Sequence, residues 1–544
     1  MGFMKLKKNI SIMLVIGLMS STLIGCSNTS SDAGESVDKE NARKANNELI
    51  AAVTSEPETG FDATDTGHGD MTSVFFSTLF KRNKNLGMEN DLAKSYEISE
   101  DRLTWTVKIR EDVKFTDGEN LTAEDVVYTY EIAKNSGSSI DLTMLDSVSK
   151  VDDYTVEFKL KNPQSTFIEK LATVGIVPKH AHNEGFSDNP IGSGPYKLVQ
   201  WDKGQQVIAE ANENYYGEKP SIKKLTMVFM DDDTAYAAVK AGEVDIASIP
   251  GSFAKEEVEG KKLIELDSIE TYGVAYPMEK PGKTTADGYP IGNAVTSDET
   301  IRKALTYAID REELVEGILE GYGAPSSTGL EKMPWLNEET IIKPEEDGKI
   351  DEAKKMLEEA GWKDTNNNGT IDKDGVEAEF DLLYTDGKYR QELGLAYVEV
   401  AKKLGIKVNL ENRNWDTIVP EINSQAVLYG FGSGDPSEIY NLYSSKTFGV
   451  GVPWNNSGYY QNDKVDEYID KALQSEDEDS ALEYWKKAQW DGETGFSHMG
   501  DCAYTWFVNA GHLYLADEDL DIGTPVVQPH GGKVLYNITE WSWK

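Results

Sequence analysis

Alternation of apolar and polar residues marks two strands, one carrying Leu103, Trp105, Val107 and Ile109 and the other Tyr154, Val156, Phe158 and Leu160. Side chains on a strand point alternately to opposite faces, so each is half-buried. Between them Thr122-Ala-Glu-Asp125 has the form of a capping box ahead of Val126, Val127 and Tyr130, which predicts a helix start. Ile301, Leu305, Ala308 and Ile309 keep the helical period, as do Ala353, Met356, Leu357 and Ala360, so both segments are predicted amphipathic helices. Gly361 suits the cap of the second helix, and Ile406, Val408 and Leu410 alternate as a further strand. Helices alternating with strands predict α/β layering. No fixed-period repeat is visible, which disfavours a solenoid or propeller. Lys280–Gly292 is rich in Gly, Pro and Thr, which marks a long surface loop or a domain boundary, and it is taken as a boundary.

The pattern differs at the N-terminus. Lys5, Lys7 and Lys8 precede an apolar run from Ile10 to Leu18, and Leu23-Ile-Gly-Cys26 follows. This is the layout of a signal peptide over residues 1–25, and the run is shorter than the roughly 20 residues that span a bilayer. Leu-Ile-Gly-Cys resembles a bacterial lipobox, which implies a lipid anchor of the diacylglycerol and palmitate kind on Cys26. An ordinary secretory signal is the plainer alternative. Residues 26–47 are polar and poor in large apolar groups, so they are expected to form a flexible tether, with the folded body starting near Glu48.

Length and charge narrow the function. A chain of 544 residues exceeds a single core of roughly 250–300 residues, so two or three domains are expected. A formal charge of −41 disfavours binding to phosphate backbones, so no nucleic-acid partner is expected. With only Cys26 and Cys502, stability does not come from disulfides, and Cys502 is read as a buried inert thiol.

Catalytic signatures are missing: no His-Glu-x-x-His, Gly-x-Ser-x-Gly or Gly-x4-Gly-Lys-Ser/Thr occurs, and no enzymatic activity is expected. Gly192-Ser-Gly-Pro195 is read as a tight structural turn, because Pro195 removes an N–H and no lysine follows. His180 and His182 would share a strand face, as a solvated pair more readily than a metal site. Asp364, Asn366, Asn368, Thr370 and Asp372 have the spacing of a calcium loop, yet Gly375 stands where a bidentate Glu belongs. A structural calcium is therefore an option, and an ion-free Asn/Gly turn is the simpler reading. In Tyr429-Gly-Phe-Gly-Ser-Gly-Asp435-Pro436, glycines admit close backbone approach and Asp435 could pair with an ammonium group, unless it merely opens a turn. Trp415, Trp454, Tyr459, Tyr460, Trp490, Trp506, Trp541 and Trp543 crowd the C-terminal third, as core stacking or as cleft lining.

Several stretches resemble the family 5 solute-binding proteins of ABC transporters. They are Val113-Lys-Phe-Thr-Asp-Gly118, Leu121-Thr-Ala-Glu-Asp-Val-Val127, Asn189-Pro-Ile-Gly-Ser-Gly-Pro-Tyr-Lys197, Asn214-Tyr-Tyr-Gly-Glu-Lys-Pro220, Ala241-Gly-Glu-Val-Asp-Ile-Ala247, Ile301-Arg-Lys-Ala-Leu-Thr-Tyr-Ala-Ile-Asp-Arg311 and Ala360-Gly-Trp362. The resemblance implies a type II two-lobed periplasmic-binding-protein fold with an extra subdomain. By analogy lobe I takes 48–70, 190–272 and 510–544, the subdomain 71–189 and lobe II 273–509, with hinge crossings near 272 and 510. It implies a monomer held by its lipid at the outer face of the cytoplasmic membrane, passing solute to an ABC permease with its ATPase subunits. The leading expectation is a peptide ligand whose α-ammonium pairs with Asp435, and the implied cleft wall is Tyr272, Gly273, Phe431, Gly432, Trp454, Asn455 and Tyr459. The alternative is a nickel chelate held by His68 together with His530 or His498. No resident cofactor is implied.

Overall fold

The computed structural model describes residues 32–53, 56–57, 59–65, 71–136, 140–387 and 389–544. Cys26 and His68 lie outside the described residues.

A seven-stranded mixed sheet organises the first lobe, in the order Lys261–Leu266, His512–Asp517, Ile246–Ser248, Glu48–Val53, Lys224–Phe229, Gln206–Ala211 and Tyr196–Asp202. Its central strand, Glu48–Val53, runs parallel to both neighbours and buries Leu49 and Ala51 in a core that includes Phe75, Met227 and Trp541. A six-stranded sheet organises the second lobe, in the order Gly323–Pro325, Tyr504–Ala510, Thr271–Ala275, Ala426–Phe431, Glu379–Tyr384 and Lys407–Asn412. Cores pack on both its faces, because the strand Thr271–Ala275 is buried at every position. A third body is the four-stranded antiparallel sheet Ala93–Ile98, Thr104–Ile109, Thr155–Leu160 and Leu145–Asp152. Along Thr104–Ile109 the residues Trp105, Val107 and Ile109 face its core, each contributing about 1.5–3 kcal/mol on burial.

Local signals act where the residue pattern places them. Thr122 caps the helix Ala123–Ala133, and the Asp125 carboxylate accepts the Thr122 N–H in return at 2.9 Å. The helix Glu299–Ala308 starts at Asp298 and turns Ile301, Ala304, Leu305 and Ala308 inward. The chain passes between the two large sheets at 267–270 and again at Gly511.

Three expectations need correction. Residues 32–45 form the helix Asp32–Ala45 instead of a loose tether. Charge, not apolar burial, docks it: Arg43 pairs with buried Asp245 at 2.8 Å, and Lys44 reaches Asp517 at 2.9 Å. The Gly/Pro-rich stretch Lys280–Gly292 is no boundary but a hairpin of the second lobe, with Lys283–Thr284 pairing Pro290–Ile291. His180 and His182 lie on no strand: His180, in a turn, meets Asp117 at 2.7 Å, and His182, in the irregular chain after it, bridges Asp62 and Tyr128.

Candidate functional site

The chain passages bring three segments together. Ile269 donates its N–H to the Gln528 carbonyl at 2.9 Å, Ala510 donates to that of Glu270 at 2.9 Å, and His530 donates to that of Gly432 at 2.9 Å. Gly432, at φ +133°, lies so close to this junction that a Cβ would stand 2.2 Å from the Ile269 carbonyl oxygen. Only glycine fits there.

At the junction the Glu270 side chain, 9% exposed, receives three partners: the Tyr272 hydroxyl at 2.5 Å, His512 Nε2 at 2.6 Å and His530 Nδ1 at 3.1 Å. Burial by itself raises the Glu270 carboxyl, but the hydrogen bonds from His512 and His530 outweigh it and hold the group well below its ordinary value. Burial and the Glu270 charge push the Tyr272 phenol well up, so its hydroxyl stays a donor. Facing a carboxylate, His530 Nδ1 is the donor of this contact, and Nε2 is the ring's other nitrogen. That nitrogen makes no hydrogen bond among the described residues, and the side chain is 28% exposed. A carboxylate behind an imidazole in this way fixes the tautomer of a metal-binding histidine.

A second charged cluster ties the extra subdomain to the second lobe. Asp435 Oδ1 accepts the Ser437 N–H at 2.7 Å and its hydroxyl at 2.5 Å, while Oδ2 accepts Lys170 Nζ at 2.9 Å. Burial raises the Asp435 carboxyl, yet the Lys170 charge and the Ser437 donors bring it below its ordinary value. Beside it Arg82 pairs with Glu169, whose carboxyl burial and the Asp435 charge push up to about 8 against the pull of Arg82 and Lys170. Ser165 adds bonds to the Leu473 carbonyl at 2.7 Å and the Ala472 carbonyl at 3.0 Å, at the end of the helix Asp463–Leu473.

The remaining predicted residues divide. Phe431 and Trp454 are half-buried members of an aromatic group in which Trp415 lies 5.6 Å from Trp454 and Phe431 lies 6.0 Å from Trp506. Gly273 serves packing, since a Cβ would meet Trp506 at 2.6 Å. Asn455 turns inward to the Val450 carbonyl at 2.9 Å, and Tyr459 stacks on Phe448 at 4.4 Å. His498 packs edge-on against Tyr307 at 5.5 Å, and burial pushes it down to about 4, so it belongs to the second lobe's interior. Cys502 is buried beside Thr306.

In the calcium-like loop, Asp364 accepts the N–H groups of Asn368 and Gly369, and Thr365 bonds Asp372. Asn366 and Asn368 both donate to Glu377, and the Thr370 N–H goes to Asn368 Oδ1. Among the described residues no three His, Cys, Asp or Glu side chains form a metal-holding group. Sequence reasoning missed Glu270, His512 and Lys170. The lone acid in Ser268-Ile-Glu-Thr-Tyr-Gly-Val-Ala275, an otherwise apolar or uncharged stretch, was the available signal for the first.

Comparison with known proteins agrees with this architecture. Protein XP55 of Streptomyces lividans is 34% identical over 488 residues, 86% of this chain and 85% of its own. The oligopeptide-binding protein AppA of Bacillus subtilis is 29% identical over 559 aligned residues, 98% of this chain and 97% of its own. NikZ from Campylobacter jejuni, solved in complex with Ni(L-His), superposes with a TM-score of 0.78 at 25% identity, over 91% of this chain and 99% of that one. AppA from Bacillus subtilis in complex with a nonapeptide gives 0.75 at 27% identity, over 91% and 99%. No described helix is long and apolar enough to cross a membrane. With residues 87–451 matching the model of the bacterial extracellular solute-binding proteins, family 5, the chain belongs to that family.

Proposed function

We propose that this chain is the non-enzymatic solute receptor of an ABC importer and that its cargo is a small metal–amino-acid chelate, for which nickel with histidine is the model. The observation that carries the reading is His530, held by buried Glu270 through Nδ1 while its Nε2 makes no hydrogen bond among the described residues. Imidazole is a good ligand for nickel, and a chelate that brings its own donors needs few from the protein. His68 is the second imidazole of this reading. Similarity to NikZ, solved with Ni(L-His), supports it. Closure of two lobes over cargo gives the closed state its differential affinity, which a permease can sense. The lipid on Cys26 would keep the receptor, as a monomer, beside that permease.

Peptide capture is the second reading, favoured by 29% identity to the oligopeptide-binding AppA along nearly the whole chain. It requires Asp435 to accept a peptide ammonium, and Lys170 already occupies that carboxylate.

Isothermal titration of the full chain with nickel, with and without L-histidine, tests the proposal. Binding is expected only when both are present, and it should weaken sharply in His530→Ala and His68→Ala. Tight binding of unmodified peptides with no response to nickel–histidine would replace it with the second reading.

A further inference from the structure

Lys170 and Asp435 come from different bodies of the molecule. Lys170 lies in the last turn of the short helix Phe167–Leu171 of the extra subdomain, and Asp435 follows the strand Ala426–Phe431 of the second lobe. Their side chains are 13% and 14% exposed, and they meet at 2.9 Å. Ser437 fills Asp435 Oδ1 with two hydrogen bonds and Lys170 occupies Oδ2 with one, so an incoming cation would have to share Oδ2 with the Lys170 ammonium. Nearby, Arg82 is taken by Glu169, and Glu438 accepts the Ser433 N–H at 2.8 Å. Gly434 brings this loop against Ile269 of the first inter-lobe passage, with a Cβ position 3.2 Å from Ile269 Cδ1. The pair therefore sits beside the junction that holds Glu270.

We propose that Lys170 is a specificity-determining residue: its ammonium is a built-in counter-ion that fills Asp435 and turns away solutes bearing a free ammonium group, peptides with an unmodified amino terminus foremost. A ligand ammonium can reach Asp435 only by sharing Oδ2 with the Lys170 ammonium or by stranding the Lys170 charge in a largely buried place, which disfavours it by on the order of 100-fold or more. An amino acid chelated to a metal passes this filter, because its amine nitrogen is spent on the metal and carries no ammonium charge. The inference rests on the reading of the chain as a solute receptor that closes at these passages. It does not require the metal to be nickel.

Titration of the full chain with trialanine and with N-acetyl-trialanine tests it. The wild type should bind neither with a preference for the free amine. Lys170→Met keeps the length of the side chain and removes its charge, so it should gain roughly 100-fold for trialanine and nothing for the acetylated peptide. Adding Asp435→Asn to Lys170→Met should abolish the gain. Wild-type protein that already prefers trialanine, and loses the preference in Asp435→Asn, would overturn the proposal, as would Lys170→Met with no new preference. If Lys170→Met folds poorly, ethylammonium should raise the Tm of Lys170→Ala above the level reached with sodium at equal ionic strength; equal Tm values would overturn the proposal. Nickel–histidine titrated in parallel separates the two claims, since a gain for trialanine in a protein blind to nickel–histidine upholds the filter and removes the metal-chelate cargo.

Discussion

Glu270 and Asp435 are both carboxylates buried where bodies of this protein meet, and both are held below their ordinary pKa, but their partners differ in what they leave exposed. Asp435 is closed off by a lysine and a serine of the same chain. Glu270 spends its charge on two imidazoles and a phenol, and one of those imidazoles, His530, retains a second nitrogen without a hydrogen-bond partner among the described residues. A buried charge neutralised by a full cation has nothing further to offer a ligand. A buried charge neutralised through hydrogen bonds to a histidine fixes the tautomer and transmits basicity to the far side of the ring.

The sharpest way to break this contrast is at the ring. His530→Ala should lower nickel–histidine affinity by about 100-fold or more, and Glu270→Gln by about 10–100-fold, both by isothermal titration. An unchanged affinity in Glu270→Gln would mean that the carboxylate plays no part in presenting the imidazole. Next in size is the stability of the closed-off side. Asp435→Ala leaves Lys170 buried without a partner and should cost about 3–5 kcal/mol in denaturant unfolding, while Asp435→Ala with Lys170→Met should recover most of it.

Glu270 and Glu169, the carboxyl beside Asp435, should also respond to pH with opposite signs. Glu270 titrates lower in the folded protein than in the unfolded chain, so its contribution is present above the ordinary carboxylate value of about 4.3 and is lost as acid takes the pH through its lowered folded value. Glu169, pushed up to about 8, contributes below about 4.3 and loses that contribution as pH rises toward 8. Glu169→Gln should therefore flatten the stability profile between those limits, and Glu270→Gln should flatten its acid limb, both read from unfolding midpoints across pH. The smallest effect belongs to the loop at Asp364–Asp372, which closes on its own hydrogen bonds: replacing a chelator with calcium should move Tm by less than about 1 °C.

Much of the fold was legible because it depends on short periods. Trp105, Val107 and Ile109 alternate in the strand as in the sequence, and the Thr122 cap and the Ile301–Ala308 stripe act locally. The N-terminal helix was not legible, because its anchors are ion pairs to Asp245 and Asp517, about 200 and 470 residues away in sequence. Composition also misread Lys280–Gly292, since Gly and Pro serve a hairpin as well as a linker. At the site, His530 was named in the metal reading, but nothing in its neighbourhood announces Glu270, which lies 260 residues earlier and meets it only after both passages form. Asp435 was named for a role that needs an open carboxylate, and Lys170, its partner, comes from another body entirely. Contacts between bodies leave no periodic trace in the chain.

Native mass spectrometry of the protein purified from its host, followed by denaturing analysis of what it carries, tests the central claim most directly. The account predicts a single small adduct containing a metal and one or more amino acids, absent from His530→Ala. A heterogeneous population of short peptides, unaffected by that substitution, would contradict it.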